Sequence, residues 1–226
     1  MSGTGQNGVF VLNRKEMMTG EEPDRRTQRS REALIHSLLE LIEKKHYDRI
    51  SVQDIVRGAD VGRSTFYAHF HDKDELLLSG FEYLLDSLVR RIVLAEDGVL
   101  EFDATMLFQH AAGHLTVFRT LMRGSGFELI IRDGQAALSR KIEQRLKELL
   151  SGRPAPSVAL PLVANTLAGG LLVMLKWWLD NKMPCPPEVM NAAFQQLVMQ
   201  GIRSVLAQPA AGRQFPVSKT TIRSGK

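Results

Sequence analysis

The sequence predicts an all-α protein with a small N-terminal three-helix domain and a larger C-terminal helical domain. Three observations carry this. Apolar residues recur at helical spacing through most of the chain, no run alternates apolar and polar over strand length, and helix caps and Gly/Pro breakers separate the periodic stretches. Leu34, Leu38, Leu41 and Ile42 mark a first helix over about 24–45. Ser51 opens a short second helix, where Ser-x-x-Asp with Asp54 forms a capping pattern and Val52, Ile55, Val56 and Ala59 give a buried side. Residues 60–62 suit a tight turn. Residues 63–70 supply about two further helical turns, with Phe66 and Phe70 inward. Asp72, with Glu75 three residues on, caps a fourth helix whose apolar face runs Leu77, Phe81, Leu84, Leu88 and Ile92.

A loop over 95–102 is expected next, then a helix over 104–122. Gly124-Ser125-Gly126 breaks it, and a helix over 127–150 follows. The Gly/Pro-rich stretch 151–156 is a linker. Two long apolar helices, 157–180 and 187–206, close the fold. The implied division is an extension (1–23), an N-terminal helical unit (24–92), a C-terminal helical unit (93–207) and a basic tail (208–226). Both ends are expected to be disordered, and Met17 and Met18 leave a second translation start open.

Two short helices joined by a tight turn are a device for reading DNA, because the second fits the major groove, about 12 Å wide. Arg63 and Ser64, at the start of that second helix, are best placed for base edges, and Arg63 can pair with guanine through two hydrogen bonds. Thr65, Tyr67 and His69 carry donors on its polar side. Lys73 begins the next helix, where an ammonium can meet a phosphate.

The stretch Val61-Gly62-Arg63-Ser64-Thr65-Phe66-Tyr67-Ala68-His69-Phe70, with Asp72-Lys73-Asp74-Glu75-Leu76, resembles the DNA-binding domain of the TetR family of bacterial transcriptional regulators. The resemblance spans roughly residues 25–88. It implies that the positions of Thr65, Tyr67, His69 and Lys73 serve the DNA backbone and groove edge; Arg29 and Ser51 are further candidates for DNA contact from the residues themselves. Gly62 stands where the family usually has a capping serine, which costs only a few tenths of a kcal/mol. Ser64 stands where glycine is common and brings a hydroxyl near the DNA. The Lys-Trp-Trp-Leu-Asp-Asn-Lys-Met-Pro run within 171–187 resembles the C-terminal domain of a subgroup that includes a dihydroxyacetone kinase operon regulator.

At 226 residues the chain accommodates one or two domains with a proper core. Its one cysteine, Cys185, cannot form an internal disulfide, which fits a reducing cytoplasm. The net charge of +4 is wholly accounted for by Arg213, Lys219, Arg223 and Lys226 in the tail. A more useful basic cluster is Arg25, Arg26, Arg29 and Arg31 at the start of the first helix, which either tracks phosphates or forms a solvated face. The uncharged stretch 158–175 approaches membrane-span length, but Pro161, Asn165, Thr166, Gly169 and Gly170 argue for a buried helix and no membrane.

Gly169 and Gly170 inside a helix cost about 1 kcal/mol each relative to alanine, which points to close helix approach. A two-fold, four-helix interface from the last two long helices is therefore expected, with Leu167, Gly170, Leu171, Ala193, Leu197 and Gly201 in it. Phe108, Phe118, Met122, Met174 and Trp178 are the expected lining of an effector cavity. His110 and His114, four apart, lack a third ligand, so no metal is expected. No cofactor is expected, and no nucleophile–base or carboxylate pair implies an enzyme. The expected function is a homodimeric, ligand-responsive regulator, most simply a repressor, on a palindromic double-stranded operator, with an unidentified small-molecule effector. The alternative is a helix-turn-helix binding or architectural protein without an effector.

Overall fold

A computed structural model describes residues 25–208. The expected extension and nearly all of the basic tail, with Arg213, Lys219, Arg223 and Lys226, lie outside the described residues. Helix α1 (Arg25–Lys44) is followed by a 3-10 turn (Tyr47–Arg49), α2 (Val52–Gly58), α3 (Arg63–His69) and α4 (Lys73–Val89). Leu34, Leu38 and Ile42 of α1 pack with Ile55, Phe66 and Leu76 in a fully buried cluster. The buried Ser37 hydroxyl donates to the Ile55 carbonyl at 2.8 Å, tying α1 to α2.

Residues 90–104 depart from the expected helix end and loop. Helix α4 stops at Val89, and Ile92 leaves its face to start an antiparallel hairpin, β1 (Ile92–Leu94) with β2 (Leu100–Phe102). Ile92, Leu100 and Phe102 are buried while Val93 and Glu101 face outward. Three-residue strands are too short for alternation to stand out. The Asp97-Gly98 pair, with Gly98 at φ 80°, is the turn signal that could have revealed them. Side chains pin the hairpin: Arg145 Nε donates to the Ile92 carbonyl, Arg203 Nε to that of Leu100, and Gln195 Nε2 to that of Phe102.

The C-terminal domain holds α5 (Thr105–Gly113), α6 (Leu115–Met122), α7 (Ser125–Leu129), α8 (Gln135–Leu149), α9 (Leu160–Asp180), α10 (Pro187–Phe194) and α11 (Gln200–Ala207). The single helix expected over 104–122 is two, broken at His114. Two π turns, Ile130–Gly134 and Gln195–Met199, join α7 to α8 and α10 to α11. Helix α9 is central, packing chiefly against α8. Among the described residues it alone is long and apolar enough to cross a membrane, and half of its apolar window is buried inside the protein.

The His110 and His114 rings lie with centroids 4.6 Å apart and planes tilted by 48°, and no group of three potential metal ligands exists among the described residues. Burial, reinforced by His114, pushes the His110 imidazole down to about 4. The unfolded chain therefore binds one more proton than the folded one between about pH 6.5 and 4. Stability should fall as pH drops through that window, by up to about 1.4 kcal/mol per pH unit from this residue. His110→Leu should flatten that limb of a stability–pH curve measured by urea unfolding. An unchanged slope in the variant would show that His110 is not its source.

Candidate nucleic-acid interface and effector cavity

The α2–turn–α3 pair forms as its sequence dictates. Ser51 and Asp54 make a full capping box: the Asp54 amide donates to Ser51 Oγ at 3.1 Å, and the Ser51 amide to Asp54 Oδ2 at 2.9 Å. Lys45 Nζ joins that carboxylate at 2.7 Å, and the Lys45 and Ser51 hydrogen bonds hold Asp54 well below the usual carboxylate range. At the turn, Asp60 adopts φ 53°, a left-handed conformation that aspartate tolerates better than most residues. The Val61 amide then reaches back to the Val56 carbonyl at 3.0 Å, closing the end of α2. Gly62 caps α3 without a side-chain bond at φ −75°, a conformation open to any residue.

Helix α3 separates its two faces sharply. Phe66 is fully buried and Phe70 nearly so, while Arg63, Ser64 and Tyr67 are exposed. Tyr67 is 51% exposed and stands edge-on to Phe66 at 5.3 Å. Thr65 and His69 are half-buried at the edges of the outward face, and Arg29 is exposed on α1. Ser51 is exposed, but its hydroxyl is engaged in the capping box. Exposed Arg49 and Arg57, which no motif singled out, lie on the neighbouring 3-10 turn and on α2.

Lys73 departs from its expected outward direction. Its Nζ donates to the carbonyls of Tyr47 at 2.9 Å and Ile50 at 3.2 Å, and lies 4.4 Å from the centre of the Tyr47 ring. The buried Tyr47 hydroxyl donates in turn to Asp74. The 3-10 turn just ahead of α2 is thus clamped to the start of α4. On its other side, the Ser125 amide and hydroxyl both donate to Asp48 Oδ1, and the Ser125 hydrogen bond leads in holding Asp48 below its ordinary value. A Cβ at Gly124 would stand 2.6 Å from Asp48 Oδ2, and one at Gly126 only 3.0 Å from the Tyr47 ring, so α7 docks closely on the DNA-binding domain.

A cavity of about 450 Å³ lies between the two domains. This is within the usual range for small-molecule sites, roughly 300–1,000 Å³. Leu84, Leu85, Leu107, Phe118, Leu172 and Leu175 supply apolar wall, and His69 and Phe70 at the end of α3 complete it. Of the five expected lining residues only Phe118 is there. Phe108 and Trp178 are core: both are buried, they meet edge-to-face at 5.6 Å, and Trp178 Nε1 donates to the Cys185 carbonyl. Met122 and Met174 pack half-buried against the core, away from this cavity.

The expected interface residues also divide. Leu167 and Leu171 are fully buried within one chain and cannot meet a partner. Gly170 does mark a close helix approach, but within the chain: a Cβ there would lie 3.0 Å from Val198 Cγ2. Ala193 is half-buried, Gly201 has open space around it, and Leu197 is 76% exposed. Val189, on the expected face of α10, is exposed, and so are Leu162, Val173 and Trp177 of α9, which were not anticipated from the sequence. A helix apolar all round carries no polar face to mark which side is core.

The fold and the exposed reading helix define a helix-turn-helix transcriptional regulator, and comparison with known proteins agrees. Residues 34–79 match the profile described as bacterial regulatory proteins, tetR family, and residues 103–200 that of a transcriptional regulator C-terminal region. The chain is 26% identical over 181 residues to the uncharacterised HTH-type transcriptional regulator YxbF of Bacillus subtilis, covering 77% of this chain and 46% of YxbF. It is 36% identical over 69 residues to the HTH-type transcriptional regulator EthR of Mycolicibacterium smegmatis, 30% of each protein. The chain thus spans about half or less of the length of these curated relatives. Among solved structures, NalD, the secondary repressor of the MexAB-OprM multidrug efflux pump in Pseudomonas aeruginosa, shares the fold at a TM-score of 0.51 and 16% identity. That match covers 77% of this chain and 97% of NalD. The dihydroxyacetone kinase operon activator DhaS does so at 0.50 and 16%, covering 78% and 98%. The chain belongs to the TetR family of bacterial transcriptional regulators.

Proposed function

We propose that the protein is a homodimeric repressor whose grip on a palindromic operator is released by a small molecule in the interdomain cavity. The observation that carries this is the cavity wall: His69 and Phe70 end the reading helix itself, so an occupant touches the element that meets DNA. An effector that binds better to an arrangement with displaced reading heads lowers operator affinity by that difference. Arg63, Ser64 and Tyr67 face outward for base and groove contacts, with Thr65 and His69 at the edges and Arg29 toward phosphates. The exposed Leu162, Val173, Trp177, Val189 and Leu197, with Gly201, support a second copy packing on α9, α10 and α11.

Footprinting on a duplex selected in vitro tests this reading. Two half-sites should appear, with centres about 34–36 Å or a multiple apart. One unpaired half-site bound at full affinity would refute the dimeric mode. Arg63→Ala should relax base preference at one position per half-site, with a discrimination loss of about 1–3 kcal/mol. A uniform loss across all sequences would reassign Arg63 to the phosphates.

A further inference from the structure

We propose that the occupant of the interdomain cavity is an amphipathic monoanion, an apolar body carrying one carboxylate-like head, and that Arg140 receives the head. This rests on the reading of the cavity as the effector site and adds the ligand's chemical class. The polar rim combines two arginines, Arg31 and Arg140, with Glu75, Glu82 and Asp133. Each acid is already answered within the chain. Glu82 takes Arg31 at 3.3 Å, Glu75 accepts from the His71 amide at 2.7 Å, and Asp133 takes the Arg132 guanidinium at 2.8 and 3.0 Å. Arg31 is committed as well, to Ser79 at 2.8 Å and to Glu82. Arg140 has no hydrogen bond or ion pair among the described residues.

The surroundings of Arg140 on its other side sharpen the point. It also lines an adjoining groove between α4 and α8 with Arg90, Lys141, Arg145, Asp86 and Glu148. There too the acids are matched, Asp86 by Lys141 at 2.6 Å and Glu148 by Arg145 at 3.6 Å. Among the described residues, Arg140 is thus the cation without a partner where this rim meets the apolar wall. A cationic ligand would find Glu82 and Asp133 already paired with guanidinium groups and Glu75 holding the His71 amide. A carboxylate finds a planar fork of donors that it can engage through two hydrogen bonds, and Leu84, Leu85, Leu172 and Leu175 receive its tail.

Decanoate and decan-1-ol differ in the head and share the tail, so titration calorimetry of the full chain with each separates the contributions. Decanoate should bind roughly tenfold or more tightly than the alcohol, as a charge-assisted pair implies. Arg140→Gln should erase that gap, and Ala137→Phe, which adds bulk to the cavity wall, should weaken both ligands. Equal binding of the two by the wild type would overturn the anionic class and leave the cavity reading intact. A gap that persists in Arg140→Gln would overturn the role of Arg140. Binding of neither ligand, or binding untouched by Ala137→Phe, would overturn the cavity reading and the proposal with it.

Discussion

Val173→Glu combined with Leu197→Glu should leave the protein monomeric and cost it at least 100-fold in operator affinity, although neither residue is near the reading helix. Val173 is 64% and Leu197 76% exposed, so a carboxylate at either position is solvated in the isolated chain and the fold is retained. In a two-fold interface each substitution appears twice, and carboxylates forced into an apolar contact without partners cost several kcal/mol. A 100-fold loss is about 2.8 kcal/mol at about 1.4 kcal/mol per tenfold, which four such carboxylates exceed. Sedimentation equilibrium beside an operator titration reads both effects. A fully dimeric double variant would move the interface off α9 and α10–α11. Gly170→Leu, by contrast, would overpack the Val198 contact inside one chain and so test stability rather than assembly.

Lys73→Met should lower folding stability by about 1.5–3 kcal/mol, the range for hydrogen bonds made by a charged group. It removes the donor that holds two carbonyls of the turn before α2, and with it the contact over the Tyr47 ring. Operator affinity should fall as α2 and α3 loosen, while the salt dependence of binding stays as in the wild type. A lysine on a phosphate gives the opposite pattern, with normal stability and a salt slope reduced by about one unit. Urea unfolding and a salt titration together separate the two, and the second pattern would return Lys73 to the DNA surface.

What the sequence reveals here follows the range of the interactions. The Ser51–Asp54 box, the Asp72 cap and the burial of Phe66 and Phe70 beside an exposed Tyr67 depend on residues a few positions apart, so spacing alone exposes them. Lys73 misled because its partners, Tyr47 and Ile50, lie 26 and 23 positions away. Leu167 and Leu171 misled for another reason: α9 is apolar on every side, and only packing against α8 shows which side turns outward. The cavity brings together α1, α3, α4, α8 and α9, and no local pattern encodes such a meeting.

The π turn over Gln195–Met199, where the Gln200 amide bonds back to the Gln195 carbonyl, carries a consequence for how such a protein diversifies. A π turn holds one residue more than an α turn and takes it up by widening, so the helix beyond keeps nearly the same facing. Loss of a single codon there would rewind α10 and α11 as one regular helix and leave Ile202 and its neighbours facing much as before relative to Met190 and Phe194. The surface on offer to a second copy would be kept, although the chain is one residue shorter. A lineage can thereby gain or shed one codon at this turn while its copies still present matching faces, so a three-nucleotide change here does not insulate two paralogues in one cell.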